Sequence, residues 1–178
     1  MGWTFLCGAS RRDVIDDLTE ERSTDGRVFR TLRKCFRGNT MYALHESGKP
    51  GETEKWICVY LLAKNGKYGW GYKDISEEMG PVQMECPVSY LDEADPPPNE
   101  YAAKWREDVR KLAAQRAKIR PKVGQRWRLK VGCSPREVEI VSLRPLRGTF
   151  QGGYYRLKRR LLLEEVSDDG ENQSILAG

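Results

Sequence analysis

The sequence predicts an α+β protein with three parts: a mixed N-terminal sheet with packed helices, a long amphipathic helix, and a small basic β-barrel-like (SH3- or OB-like) module. Three observations carry this prediction. Apolar or alternating runs of strand length recur from Trp3 to Lys73, helical spacing takes over from Tyr101 to Leu112, and short alternating runs return from Gln125 to Leu163. Composition shifts place the boundaries at 1–98 for the α+β domain, 99–120 for the connecting helix, 121–166 for the basic β-rich module and 167–178 for an acidic flexible tail.

Trp3-Thr4-Phe5-Leu6-Cys7, ended by Gly8, reads as a first strand. Ser10 with Asp13 three residues on is a capping-box pattern, and Val14, Ile15 and Leu18 form the apolar face of the helix it opens. Asp25-Gly26 turns the chain. From Arg27 to Glu46 the pattern predicts two strands around a Gly38-Asn39 hairpin turn, and Gly48 to Gly51 reads as loop. Trp56 to Ala63 is the most apolar stretch and predicts a strand buried on both faces, stopping at Asn65-Gly66. Lys67 to Asp74 interleaves glycine with aromatics, which reads as an aromatic loop whose glycines allow close approach or positive φ. Cys86-Pro87 starts a short helix through Leu91 with Pro at its first position, and Asp95-Pro96-Pro97-Pro98 is a stiff spacer. Asn99 caps a helix with Tyr101, Trp105, Val109 and Leu112 on one stripe, which Pro121 ends. Five short strands are then expected, over Gln125–Val131, Glu137–Leu143, Thr149-Phe150, Tyr154–Leu157 and Arg160–Leu163.

With 39% hydrophobic and 10% aromatic residues the chain is expected to fold rather than remain disordered. No apolar run reaches the length of a membrane span, and the first residues lack the charged start of a signal peptide, so a soluble, cytoplasmic protein is expected. Five cysteines lie far apart without a CxxC pair, which fits a reducing compartment. One histidine and dispersed thiols give no metal-ligand spacing, and neither GxxxxGK[ST] nor GxGxxG occurs, so no metal, cofactor or small-molecule substrate is expected. His45 beside Glu46 and Ser47 has no glycine-framed nucleophile with it and reads as structural.

The formal net charge of +5 hides a strong asymmetry. Residues 1–98 balance at −3, 99–119 at +3, 120–163 at +10 and 164–178 at −5. A segment this basic is either a face for an anionic partner or a surface that repels itself without reward. Within it, Arg126, Arg128 and Lys130 alternate with Trp127 and Leu129, which predicts a row of cations on one side of a strand. Arg144 and Arg147 flank a turn, and Arg156, Lys158, Arg159 and Arg160 cluster beside Tyr154 and Tyr155. Guanidinium groups for phosphates and aromatic rings for bases are the elements that single-strand binders combine. Elsewhere, Trp70 and Tyr72 are either a partner-binding loop or core rings. Glu77 and Glu78 read as first-turn carboxylates facing a helix dipole.

Met1-Gly2-Trp3-Thr4 together with Gly71-Tyr72-Lys73-Asp74, Glu78-Met79-Gly80-Pro81, Cys86-Pro87, Leu91 and Trp105-Arg106 resembles a family of proteins carried mainly by prophages, plasmids and integrative elements, a domain of unknown function. The resemblance covers about residues 1–110 and implies a mobile-element accessory protein, a class in which modulators of host defence and DNA-handling factors are common. The function expected is therefore a non-enzymatic mobile-element factor that binds nucleic acid or a host nucleoprotein, one form being an inhibitor of a host defence complex such as a CRISPR effector. The alternative is a protein-interaction module that docks through the Trp70 loop and the 99–119 helix, without nucleic-acid contact.

Overall fold

The computed structural model describes residues 2–131 and 134–166. It is of mixed α+β type, with two antiparallel sheets, and its contacts divide the chain into two units, Met1–Ala113 and Ala114–Gly178. Among the described residues no helix is long and apolar enough to cross a membrane. The acidic 167–178 segment lies outside the described residues.

The first unit holds strands β1 (Thr4–Phe5), β2 (Arg22–Thr24), β3 (Arg27–Arg37), β4 (Thr40–Lys49), β5 (Glu52–Asn65) and β6 (Gly69–Ser76) in the order β1-β6-β5-β4-β3-β2. Every neighbouring pair is antiparallel, so the expected mixed sheet is corrected. The reason is the connections: β2 through β6 follow one another through tight turns, and parallel pairing needs a crossover of about a dozen residues or more. The Gly48–Gly51 stretch shortens likewise, with β4 running to Lys49.

β4 and β5 occupy the middle of the sheet, which explains why both read as apolar runs. On β4, Tyr42 and Leu44 point to one face and Met41 and Ala43 to the other; on β5, Ile57 and Val59 oppose Cys58, Tyr60 and Leu62. The second set is covered by α1 (Arg11–Thr19) through Val14 and Leu18. The capping box forms as expected: Ser10 N–H donates to Asp13 Oδ2 at 2.7 Å, and Asp13 N–H donates to Ser10 Oγ at 3.2 Å. The first set is covered by α2 (Val88–Glu93) and by Trp105 and Val109 of α3 (Glu100–Lys118). Pro87 is the N-cap of α2 rather than its first helical residue, while Asn99 caps α3 by accepting from Ala102 N–H at 2.9 Å.

The segment read as an aromatic loop is β6, an internal strand. Gly71 is needed because β1 crosses it closely: a Cβ there would stand 2.3 Å from the Thr4 carbonyl oxygen. Gly69 has φ +86 beside Ala9, so both glycines serve strand pairing rather than a free loop. Trp70 and Tyr72 are half-buried against the α1 face of the core, with the Tyr72 ring set edge-on to Tyr60 at 6.0 Å.

Two buried polar groups are built into this unit. Glu77 follows β6 in a short 3-10 turn (Glu77–Met79) and has no exposed surface. Arg106 of α3 grips it with Nε to Oε2 at 2.6 Å and Nη2 to Oε1 at 2.8 Å, and the Ile57 N–H of β5 donates to Oε1 at 3.0 Å. The remaining guanidinium nitrogen, Nη1, donates to the Asp95 carbonyl at 2.7 Å. Glu77 is thus an internal tie, not the dipole-facing surface carboxylate expected, while Glu78 is exposed. On the other face His45, also without exposed surface, places Nδ1 3.0 Å from Thr31 Oγ1 and Nε2 2.9 Å from Tyr60 Oη, between Phe29 and Trp56.

Removing one partner of a buried pair leaves the other uncompensated, so Arg106→Ala should lower unfolding free energy by about 3–5 kcal/mol in urea denaturation. For His45, burial pushes the imidazole from its ordinary 6.5 down to about 4, so the fold holds it neutral. The unfolded chain takes up the proton first on acidification; His45 therefore adds stability that is complete above pH 6.5 and is lost as pH falls through about 4. The loss amounts to about 3 kcal/mol. Because the chain has one histidine, its imidazole proton resonances are identified without assignment, and they should keep neutral-form shifts down to pH of about 5.

Candidate functional site

The second unit carries the basic residues on a five-stranded antiparallel sheet. Its strands are β7 (Arg126–Val131), β8 (Ser134–Leu143), β9 (Leu146–Phe150), β10 (Gly153–Arg156) and β11 (Leu162–Glu165), ordered β10-β9-β8-β7-β11. One side is the core, formed by Trp127, Leu129, Val138, Ile140, Leu157 and Leu162 with Ile119, Leu146, Phe150 and Leu161 against it.

The alternation on β7 is as expected: Trp127 and Leu129 are buried while Arg126, Arg128 and Lys130 are exposed. What alternation did not disclose is the register with the neighbouring strand. Cross-strand partners share a face, and the pairing sets Arg126 opposite Glu139, Arg128 opposite Glu137 and Lys130 opposite Pro135. Arg126 Nη2 lies 3.3 Å from Glu137 Oε2. Two carboxylates of β8 thus lie beside the row of cations on β7 and offset part of its charge.

Further across the same face the balance changes. β9 presents Arg147 and Thr149, β10 presents Tyr154 and Arg156, and the register puts Arg147 directly opposite Arg156 and Thr149 opposite Tyr154. Like charges directly opposite one another destabilise a sheet. Neither arginine forms an ion pair with any described residue, and Tyr154 beside them is 76% exposed. Arg144 is exposed in the β8–β9 turn, off the sheet face.

Tyr155 points to the opposite side of β10. It lies over Gly153, where an added Cβ would be 2.8 Å from its Oη, and it lines a cleft of about 370 Å³ with Leu129, Val138, Phe150, Leu157 and Leu161. Three cations, Arg136, Arg156 and Lys158, complete the lining, and no carboxylate does. The Arg136 guanidinium stands 5.2 Å from the centre of the Phe150 ring, a cation–π contact. Arg159 is exposed on the 3-10 turn Arg159–Leu161 that follows, and the Arg160 side chain lies outside the described residues.

Of the residues singled out from sequence, the sheet thus gathers Arg126, Arg128, Lys130, Arg147, Tyr154 and Arg156 on one face and sends Tyr155 and Lys158 to the cleft. Arg136 was missed. The available signal was phase: Arg136 falls in step with Val138 and Ile140, a cation in the apolar register of a strand.

In the first unit the titratable groups of interest are not assembled. His45 faces Thr31 and Tyr60 on the α1 side, Cys86 belongs to the core under α2 and α3, and Glu78 is exposed. Burial also pushes the Cys86 thiol up to about 12, far from a reactive thiolate. Cys7, Cys35, Cys58 and Cys86 are all free. A cleft of about 620 Å³ lies beside the Glu77–Arg106 pair, with Glu54, Lys55 and Trp56 in its wall. Its Asp95 carboxylate accepts from the Lys55 N–H at 2.8 Å, so both Glu77 and Asp95 are engaged in holding the fold. Among the described residues no group of three or more His, Cys, Asp or Glu side chains is placed to hold a metal ion.

No protein-family model matches the chain, and no curated protein or solved structure matches it either.

Proposed function

We propose that this protein is a non-enzymatic nucleic-acid-binding factor that grips the phosphate backbone through the outer face of its second unit. The observation that carries the reading is the opposed pair Arg147 and Arg156 beside exposed Tyr154. An anion held between two opposed guanidinium groups offsets their repulsion, and a phosphate fits their donor geometry. The +10 balance of residues 120–163 supplies the long-range attraction that steers a polyanion to that face. We read the five-stranded sheet as a small SH3- or OB-like barrel and Glu100–Lys118 as the amphipathic connector. With the resemblance of residues 1–110 to proteins of mobile elements, we read such a factor as an accessory protein of a phage or plasmid. In that setting the polyanion includes the RNA or DNA of a host defence complex. The alternative of docking through a Trp70 loop has lost its loop, since Trp70 and Tyr72 sit half-buried on β6.

Binding of labelled oligonucleotides measured against salt tests this. Log affinity should fall linearly with log salt, and Arg147→Ala and Arg156→Ala should each lower the slope by about one while weakening all sequences alike. Arg126→Ala, whose guanidinium already meets Glu137, should change the slope less. The opposed charges make a second expectation: Arg147→Thr should raise unfolding free energy by about 0.5 kcal/mol while weakening binding, a gain in stability at the expense of function. Unchanged affinity in both alanine variants would contradict the assignment.

A further inference from the structure

We infer that the cleft behind β10 takes a single unstacked nucleobase, so that the protein prefers single-stranded over duplex nucleic acid. The inference rests on the reading that the second unit binds nucleic acid, and it adds the group that is recognised. The cleft has the composition of a small-ligand site: about 370 Å³, with Leu129, Val138, Leu157 and Leu161 as apolar lining and a few exposed polar side chains beside them.

Its occupant is specified by two features. The first is aromatic: Phe150 and Tyr155 present rings, and the Arg136 guanidinium stands 5.2 Å from the centre of the Phe150 ring, a setting that suits a planar heteroaromatic guest. The second is charge. Arg136 and Lys158 line the cleft, Arg156 borders it from the strand whose outer face it occupies, and no carboxylate is among the lining residues, which favours a guest tethered to negative charge. A base on a phosphodiester backbone meets both demands at once.

The placement of β10 supplies the route. β10 is the edge strand of its sheet, with Tyr154 and Arg156 turned to the outer face and Tyr155 turned to the cleft. A backbone that crosses this edge meets Arg147 and Arg156 with its phosphates and delivers one base past Tyr155 into the cleft. In a duplex that base is stacked and paired, and extruding it costs free energy that a single strand does not spend.

The test compares three probes on the full-length protein at one low salt concentration: a labelled single strand, the same strand with every base replaced by an abasic site, and the matching duplex. The single strand is expected to bind at least tenfold more tightly than either of the others. Tyr155→Ala should bring the single strand down to the abasic level, and Tyr155→Trp should restore the difference. Equal binding of the normal and abasic strands, with Arg147→Ala still weakening both, overturns the base pocket and leaves the phosphate-binding face standing. Displacement of the strand by a medium-chain fatty carboxylate without any base dependence also overturns it, by assigning the cleft to an amphiphile. Failure of all three probes to bind overturns the phosphate-binding reading and the pocket with it. The abasic comparison needs no variant, so it decides the matter even if Tyr155→Ala does not fold.

Discussion

The first unit is organised around a carboxylate that has no contact with solvent. Burying a charged group without partners is among the most expensive things a fold can do. Glu77 avoids that cost because both of its oxygens are engaged, one with Arg106 Nε and the other with Arg106 Nη2 and the Ile57 N–H. The same arginine reaches the Asp95 carbonyl, and Asp95 in turn pairs with the Lys55 backbone in both directions. Four separate pieces of chain, β5, the turn after β6, the proline-rich spacer and α3, are thereby tied at one point. Apolar packing under α2 and α3 is non-directional; this network fixes where along the sheet those helices sit.

The second unit is governed by a different balance. Among the described residues its core comprises six buried side chains with four more packed against them, and its outer face is crowded with cations. Glu137 and Glu139 offset the charge of β7, so the sheet is not uniformly repulsive. Among the described residues the repulsion is left uncompensated at Arg147 and Arg156, on the two strands nearest the β10 edge. The proposed binding surface rests on that concentration: an unfavourable contact at one exposed rung, beside an exposed ring and a cleft lined in part by cations, rather than charge spread evenly for solubility.

Much of the fold was legible because local pattern and burial agree. The runs of β4 and β5 read as doubly buried strands because helices cover both faces of the sheet, and Ser10 with Asp13 announced α1 because a capping box is purely local. The alternation of Arg126, Arg128 and Lys130 was legible for the same reason. What escaped depends on distance in sequence. The pairing of Glu77 with Arg106 spans 29 residues, and nothing at either position marks its partner. The carboxylates facing Arg126 and Arg128 follow from β7–β8 register, and the Arg147–Arg156 opposition from β9–β10 register, neither of which alternation alone supplies. β6 was misread because its glycines signal a loop unless one knows that β1 passes over Gly71.

The claim on which the functional account stands is that the edge of the second sheet, at β10, is where nucleic acid lies. Photocrosslinking a bound single-stranded oligonucleotide to the full-length protein, followed by identification of the linked peptide, addresses it directly. The account predicts adducts at Tyr154 or Tyr155, the two rings exposed on either side of that strand. Adducts confined to residues 1–113, with none in the second unit, would contradict it.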